Sequence, residues 1–327
     1  MFVKHARRHQ RLLFRSAVLT FAFVLGFNVC LAQQNEDVIR INTDLVVLDA
    51  LVIDKKTGHP VRDLKANDFE LFVDDIKQPI TYFSEDQLPL SVVLLLDVSG
   101  SVVPFIEQIG QRARTALEKL KSQDEVAVMA FAQESKLVQD FSKDRQLVSD
   151  KIVEASRVDT IGRGTFFNDA LRSALLVMEK AANPVSRRVI LVVSDNIASE
   201  HGSNKQVMVD LLESGIVVYG LIVRGGIGKV INLMTVGAMH GLDDYAEATG
   251  GELIGAKKDE VDDRLEQLIA HLRARYSMGF KPSETTLDGK QHRIKLKLSA
   301  AAVTGNRKLA VRTRTGYVRR DSGSPGN

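Results

Sequence analysis

An aspartate and two serines follow an apolar run at alternate positions. Residues 92–96 read Val-Val-Leu-Leu-Leu, and Asp97, Ser99 and Ser101 come directly after them. The alternate spacing lets the three side chains face one point, and Gly100 between the serines allows a tight backbone. Carboxylate and hydroxyl oxygens are hard ligands, so the pattern predicts a Mg²⁺ site, with Mn²⁺ or Ca²⁺ as alternatives.

Two further oxygen-bearing residues follow later in the chain. Thr165 ends a Gly-Arg-Gly-Thr loop before a predicted helix, and Asp195 lies just beyond a second apolar run at residues 189–193. Ligands of doubly wound sheets collect beyond the carboxyl ends of the strands. The predicted metal ligands are therefore Asp97, Ser99, Ser101, Thr165 and Asp195. Two carboxylates only neutralise a divalent cation, so a cation held there can still attract an acidic side chain of a partner protein.

The elements that position these residues alternate between strand and helix. This alternation predicts an α/β domain over residues 89–276, with a doubly wound, mostly parallel sheet flanked by helices. The segment 136–141 is predicted to pair as an antiparallel edge strand. Predicted parallel strands lie at 91–96, 125–131, 189–193 and 216–223, and predicted helices at 104–121, 144–155, 168–182, 205–213 and 260–276.

Short strands and turns flank this domain on both sides. Residues 37–88 predict a small unit resembling a β-sandwich, and residues 277–320 return to the same texture. We therefore predict that the two ends of the chain form one β-rich unit. The last residues, 321–327, are predicted to be a disordered tail.

The first 32 residues have the pattern of an export signal. Five basic residues precede an apolar stretch, and Cys30-Leu31-Ala32 supplies a cleavage site after Ala32. This segment holds five of the 44 Lys and Arg residues and no acid, so its removal changes the net charge from +3 to −2. The predicted location is periplasmic or secreted, with an uncleaved N-terminal anchor as the alternative. Cleavage would leave a chain without cysteine, which excludes disulfides.

The metal-ligand pattern resembles the metal-ion-dependent adhesion site (MIDAS) of von Willebrand factor type A domains. The resemblance spans roughly residues 89–276 and implies that the five predicted ligands hold the cation, some of them through water. The flanking motifs resemble the bacterial VWFA-related family, and they are Leu64-x-x-x-Asp68-Phe69-Glu70-Leu71-Phe72-x-Asp74, Ala248-Thr249-Gly250-Gly251, Tyr276-x-x-Gly279-Phe280 and Thr315-Gly316-Tyr317. The family usually has Asp-Gly where this chain has Asp195-Asn196. Asn tolerates the left-handed conformation better than most residues.

Enzymatic alternatives lack their required residues. A phosphotransferase with an aspartyl nucleophile would have a second carboxylate at position 99, where this chain has serine. The segment 225–229 has the glycines and lysine of a phosphate loop but not their spacing, so a plain loop is predicted there. Asp169 is predicted to lie in a helix first turn, with support of the metal site as the alternative. The sequence therefore favours a non-enzymatic binding module.

A basic segment near the C-terminus has two interpretations. Residues 290–320 contain ten Lys and Arg and no Asp or Glu. Alternation of Lys295 and Lys297 with apolar residues indicates a solvated face of a half-buried strand. The alternative is contact with an acidic envelope polymer or lipid, and export argues against nucleic acid. The rival to a cation-dependent adhesion module is a metal-independent scaffold of an envelope assembly.

Overall fold

The computed structural model describes residues 45–85, 88–158, 161–200, 203–223, 241–282, 288–303 and 307–320. All of these belong to the unit Asp44–Asn327. The predicted signal segment, the loop at 225–229 and the predicted tail lie outside the described residues. Within the described ranges, no helix has both the length and the apolar character needed to cross a membrane.

A six-stranded sheet forms the centre of the structure. Its strand order is β10-β9-β8-β5-β6-β7, and every neighbouring pair is parallel except β6 and β7. The inner strands are buried, apart from the partly exposed Arg188, because helices cover both faces, which explains their apolar sequences. The strands are β5 (Leu90–Asp97), β6 (Glu125–Phe131), β7 (Ser135–Ser142), β8 (Arg187–Ser194), β9 (Val217–Val223) and β10 (Leu253–Ala256).

Three described helices pack on each face of this sheet. One face carries α1 (Val103–Leu117), α2 (Arg145–Ala155) and α6 (Val261–Arg273), whose apolar side chains share one buried cluster. The other face carries α3 (Phe167–Met178), α4 (Lys205–Ser214) and α5 (Asp243–Thr249), which share the second cluster. The side chains of Asp144 and Asn204 cap the amino ends of α2 and α4. The predicted doubly wound, mostly parallel sheet is confirmed.

Two four-stranded antiparallel sheets are built from both ends of the described chain. One has the order β13-β1-β11-β4 and the other β14-β12-β2-β3, and they enclose a third apolar cluster. Each sheet combines strands that precede the central sheet in sequence with strands that follow it. The strands are β1 (Val46–Asp54), β2 (Phe69–Val73), β3 (Ile76–Gln78), β4 (Tyr82–Ser84), β11 (Arg275–Phe280), β12 (Asp288–Leu298), β13 (Leu309–Arg312) and β14 (Gly316–Arg320).

Several elements differ from the sequence-based prediction. The helices predicted at 104–121 and 168–182 end earlier, at Leu117 and Met178. The helix predicted to reach residue 276 ends at Arg273, because the chain pairs with β1 from Arg275 onward. Strand β14 was not predicted, and it pairs with β12 through Tyr317 and Val318. In the last two cases tertiary pairing overrides the local pattern.

A buried ion pair joins the antiparallel sheets to the central sheet. The Arg187 guanidinium, at the start of β8, contacts both carboxylate oxygens of Asp49 on β1, with Nε···Oδ2 at 2.7 Å. Ser277 on β11 donates to Oδ1 of the same carboxylate at 2.6 Å. The amino ends of the parallel strands are therefore fixed to the antiparallel sheets, while their carboxyl ends lie at the opposite edge.

Candidate metal centre

Two adjacent parallel strands bring the two predicted carboxylate ligands to one edge. Asp97 is the last residue of β5, and Asp195 directly follows β8. These strands are hydrogen-bonded neighbours, with Leu96 opposite Val193. Asp97 is fully buried, whereas Asp195 is partly exposed. At the carboxyl edge of the sheet, Asp97 therefore lies in the interior and Asp195 lies near the surface.

The three predicted hydroxyl ligands lie next to the carboxylates of Asp97 and Asp195. Ser101 Oγ donates to Asp195 Oδ2 at 2.7 Å, and the Ser99 and Ser101 oxygens are 3.4 Å apart. Thr165 Oγ1 lies 3.4 Å from Asp97 Oδ2, and the Ser99 N–H donates to Asp97 Oδ1 at 2.9 Å. The structure thus brings all five predicted side chains into one oxygen cluster.

The spacing of these oxygens fits a small divalent cation. Neighbouring ligands around a cation with bonds of about 2.1 Å are themselves about 3 Å apart. The three side-chain oxygen pairs of the cluster are separated by 2.7 to 3.4 Å. Within the described residues, no group of three or more His, Cys, Asp and Glu side chains could hold a metal. This cluster has two carboxylates, and its remaining donors are hydroxyls.

The charge on Asp97 is poorly compensated. Burial raises the pKa of Asp97 to about 6, and the negative charge of Asp195 raises it as well, while hydrogen bonds from Ser194 and Ser99 lower it. None of the groups that act most strongly on this carboxyl is a cation. A bound cation is the chemical group that would offset this buried charge.

The sequence-based prediction missed a buried hydroxyl in the cluster. Ser194, the last residue of β8, is fully buried and donates to Asp97 Oδ2 at 2.6 Å. Its oxygen also accepts the Asn196 N–H at 3.0 Å. A polar residue that ends an otherwise apolar strand beside a predicted ligand was the available signal. Ser194 positions Asp97 and fixes the loop that carries Asp195.

Thr165 is held by a loop with two left-handed glycines. Gly162 and Gly164 have φ values of 77° and 98°. A Cβ on Gly164 would lie 2.8 Å from the Ser199 oxygen, so a side chain does not fit there. Ser199 Oγ accepts the Thr165 N–H at 2.9 Å, and its own N–H donates to the Thr165 carbonyl at 2.8 Å. These bonds fix Thr165 beside Asp97.

The residue after Asp195 adopts the conformation that the family's usual glycine allows. Asn196 has a φ of 59° and is 7% exposed. Its side-chain Nδ2 donates to Asp243 Oδ2 at 2.8 Å, and its Oδ1 is buried without a hydrogen-bond partner. The backbone of this loop therefore keeps the left-handed turn despite the substitution.

Asp169 lies in the first turn of α3, as predicted, and outside the oxygen cluster. Its carboxylate pairs with Arg172 at 2.7 Å, and both side chains are exposed. Asp169 therefore serves as a control residue for tests of the metal centre.

Three of the ten basic residues near the C-terminus lie on the outer face of β12. Arg293, Lys295 and Lys297 are exposed, and they alternate with buried or half-buried apolar residues. The Lys297 ammonium lies 5.3 Å from the Phe72 ring centre. This confirms the interpretation as the solvated face of a half-buried strand.

Comparison with known proteins gives matches to the central part of the chain. Residues 92–198 match the family model described as von Willebrand factor type A domain. Solved structures similar to this chain include BatB from Bacteroides thetaiotaomicron, with 16% identity, a TM-score of 0.44, and coverage of 56% of this chain and 98% of that chain. The von Willebrand factor domain of a type V pili tip protein from Porphyromonas gingivalis has 13% identity and a TM-score of 0.39, over 57% of this chain and 95% of that chain.

A third solved structure is proximal thread matrix protein 1 from the mussel byssus, with a zinc-occupied MIDAS motif. It has 15% identity and a TM-score of 0.41, over 61% of this chain and 49% of that chain. No sequence among the curated proteins matches the chain.

Proposed function

We propose that this chain is an exported, cation-dependent protein-binding module. The premise is that it contains a von Willebrand factor type A domain, which is a class of protein-interaction module. The residues that hold the cation in this proposal are Asp97, Ser99, Ser101, Thr165 and Asp195. Mg²⁺ is the preferred cation because all five side chains offer oxygen, with Mn²⁺ or Ca²⁺ as alternatives.

One observation carries the proposal, namely the convergence of the oxygen side chains from three separate segments. The described contacts place Ser101 against Asp195, Ser99 beside Ser101, and Thr165 beside Asp97. A set of surface caps would show no such convergence, because each would bond its own backbone. The distances support a single shared ligand.

The charge of the cluster supports an acidic partner. Two carboxylates balance a divalent cation, and the serine and threonine hydroxyls contribute no charge. When bound, the cation supplies positive charge that can bind a carboxylate of another protein. Asp195 and Ser101 lie on the accessible side of the cluster, so a partner's Asp or Glu approaches from there. The N-terminal signal pattern supports export to the periplasm or the medium.

The proposal is tested by comparing two aspartate variants. Asp97→Ala removes a buried ligand, whereas Asp169→Ala removes an exposed carboxylate from the neighbouring helix. We expect Asp97→Ala to weaken Mn²⁺ binding at least about tenfold in calorimetric titration. We expect Asp169→Ala to bind Mn²⁺ like the unmodified protein. Circular dichroism checks that both variants keep their fold.

Partner capture provides the second readout. The unmodified protein and both variants are immobilised and exposed to an envelope extract with Mg²⁺ or with excess chelator. We expect proteins that are retained with Mg²⁺ to be lost with chelator and with Asp97→Ala, but kept with Asp169→Ala. Equal retention under all conditions, or unchanged Mn²⁺ binding by Asp97→Ala, would refute the proposal.

A metal-independent scaffold is the second candidate function, and the outer face of β12 favours it. Lys295 and Lys297 are exposed there beside Phe72, which suits an acidic envelope polymer or lipid surface. This candidate predicts that Lys295→Glu with Lys297→Glu abolishes association, while Asp97→Ala has no effect. Truncation after residue 276 is an unsuitable test, because it removes strands from both antiparallel sheets.

We also propose that the module is not an enzyme. Position 99, where an aspartyl phosphotransferase would place its acid or base, holds a serine whose N–H donates to Asp97. The absence of turnover on generic phosphate and ester substrates is the expected result.

A further inference from the structure

A cavity of about 430 Å³ lies at the end of β8 that is remote from the oxygen cluster. It is lined by residues around Arg187, where β8 begins, by β1, and by the carboxyl end of α4. Ser194 ends the same strand, about 23 Å away at 3.3 Å per residue. The cavity is therefore separate from the candidate metal centre.

The walls of this cavity are mainly aliphatic. They include Val47, Leu88, Val185, Leu212 and Ile216. Val47 and Val185 are 45% and 60% exposed, so part of the wall is in contact with solvent. Cavities of a few hundred Å³ with aliphatic walls suit small apolar ligands.

The polar groups of the cavity carry an excess of positive charge. Arg187, Arg188 and Arg314 line it, with Asp49 as the carboxylate among the lining residues. Asp49 forms its ion pair with Arg187. Within the described part of the chain, neither Arg188 nor Arg314 has a carboxylate within ion-pair distance. Two guanidinium charges therefore remain without a paired anion.

Arg314 is partly buried, and its guanidinium is bonded to the main chain. Its terminal nitrogens donate to the main-chain carbonyls of Val47 at 2.6 Å and Leu212 at 3.3 Å. Its Nε–H is buried without a hydrogen-bond partner. Burial lowers the pKa of Arg314 to about 10, although the nearby charge of Asp49 opposes this effect. A buried donor without an acceptor is costly, and the two guanidinium charges that line the cavity favour an anionic group beside them.

We propose that this cavity binds an amphipathic anion, namely an aliphatic carboxylate. The carboxylate lies toward Arg314 and Arg188, and the alkyl chain lies against the wall formed by Leu88, Leu212 and Ile216. An inorganic anion would leave the aliphatic wall unused, and a neutral lipid would leave the guanidinium charge unpaired. The proposal does not depend on the metal centre.

The first experiment compares probes that differ only at the head group. Decanoate, decanol and inorganic phosphate are titrated into the unmodified protein by calorimetry. We expect decanoate to bind at least about tenfold more tightly than decanol, because a charge-assisted hydrogen bond distinguishes them. We expect no measurable binding of phosphate. Failure of decanoate to bind, or equal binding of decanol or phosphate, would overturn the proposal.

The second experiment locates the site with variants. Arg314→Gln removes the buried charge, and Val47→Trp fills the cavity from a half-exposed position without removing a charge. Arg172→Gln, which removes an exposed guanidinium on α3, is the matched control. We expect Arg314→Gln and Val47→Trp to bind decanoate at least about tenfold more weakly than the unmodified protein. We expect Arg172→Gln to bind it with unchanged affinity. Retention by Val47→Trp would place the ligand elsewhere and overturn the proposal, even if Arg314→Gln fails to fold.

Discussion

The side chain of Asn196 donates a hydrogen bond to Asp243 at 2.8 Å and thereby joins the loop after β8 to the first turn of α5. Asn196 has a left-handed backbone conformation that costs most side chains free energy. The bond to Asp243 offsets part of this cost. It also fixes the peptide that follows Asp195, so the loop keeps a left-handed turn at this position without glycine.

Replacement of Asn196 separates these two effects. Asn196→Gly loses the bond to Asp243 but keeps an unstrained left-handed turn, whereas Asn196→Ala loses the bond and keeps the strain. We expect Asn196→Ala to be less stable than Asn196→Gly by about 1 kcal/mol in urea unfolding. Equal stability of the two variants would show that the loop relaxes out of the left-handed region.

Ser194→Ala should destabilise the protein more than an ordinary serine substitution. The hydroxyl donates to Asp97 at 2.6 Å and accepts from the Asn196 N–H, and all three groups are buried. Its loss leaves the buried Asn196 N–H without its acceptor and removes the shorter of the two hydroxyl bonds to Asp97 Oδ2, which costs about 1–3 kcal/mol.

The control for Ser194→Ala is Ser214→Ala, which removes an exposed hydroxyl from the last turn of α4. We expect a smaller loss of stability for this variant in urea unfolding. If Ser194→Ala is as stable as the unmodified protein, Ser194 does not position Asp97.

The central sheet and the convergence of the five predicted side chains were predictable because their signals are local. Continuous apolar runs mark strands that are buried on both faces, and polar residues at their ends mark the edge where ligands collect. Strand adjacency was needed as well, and the observed pairing of β5 with β8 supplies it.

Ser194 carried a local signal, but the partners of the supporting residues were not predictable, because they are reached through long-range contacts. Ser194 and Asn196 act through hydrogen bonds to Asp97 and Asp243, the latter 47 positions along the chain. Gly251 is explained by packing, since a Cβ there would lie 1.9 Å from the Val218 carbonyl oxygen. The cavity beside Arg314 likewise combines segments more than 250 positions apart, so no local pattern indicates it.

Asp49→Ala tests the ion pair that joins the antiparallel sheets to the central sheet. Arg187 is 2% exposed at its side chain, so removal of Asp49 leaves a buried charge without its partner. Such a loss costs about 3–5 kcal/mol. Asp169→Ala is the control, because its pair with Arg172 has the same 2.7 Å distance but exposed side chains.

We expect Asp169→Ala to lose no more than about 1 kcal/mol in chemical denaturation. The contribution of Asp49 should also depend on pH. Burial raises the pKa of Asp49, but Arg187 and Ser277 together lower the pKa by more than burial raises it. The pKa of Asp49 therefore lies below 3.8. The stability that ionised Asp49 contributes is therefore present above pH 3.8. It is lost as pH falls through the pKa of Asp49 in the folded state. If Asp49→Ala and Asp169→Ala lose similar free energies of unfolding, burial does not increase the contribution of the Asp49–Arg187 pair.

His292→Gln should lose stability in a pH-dependent manner. The two ring nitrogens of His292 contact Asp74 at 2.8 Å and Asp288 at 3.1 Å. Burial lowers the pKa of His292, but the bonds and charges of both aspartates raise it more, so the pKa exceeds 6.5. The contribution of the protonated ring is therefore fully present below pH 6.5 and is lost as pH rises through the folded-state value. We expect His292→Gln to differ from the unmodified protein by at most about 1 kcal/mol in unfolding free energy, because the carboxylates are partly exposed. This difference should shrink as pH increases from about 5.5 to about 8.5.

His59→Gln, at an exposed histidine, controls for loss of a titratable ring. A pH-independent difference for His292→Gln would show that the ring acts only through packing against Tyr317.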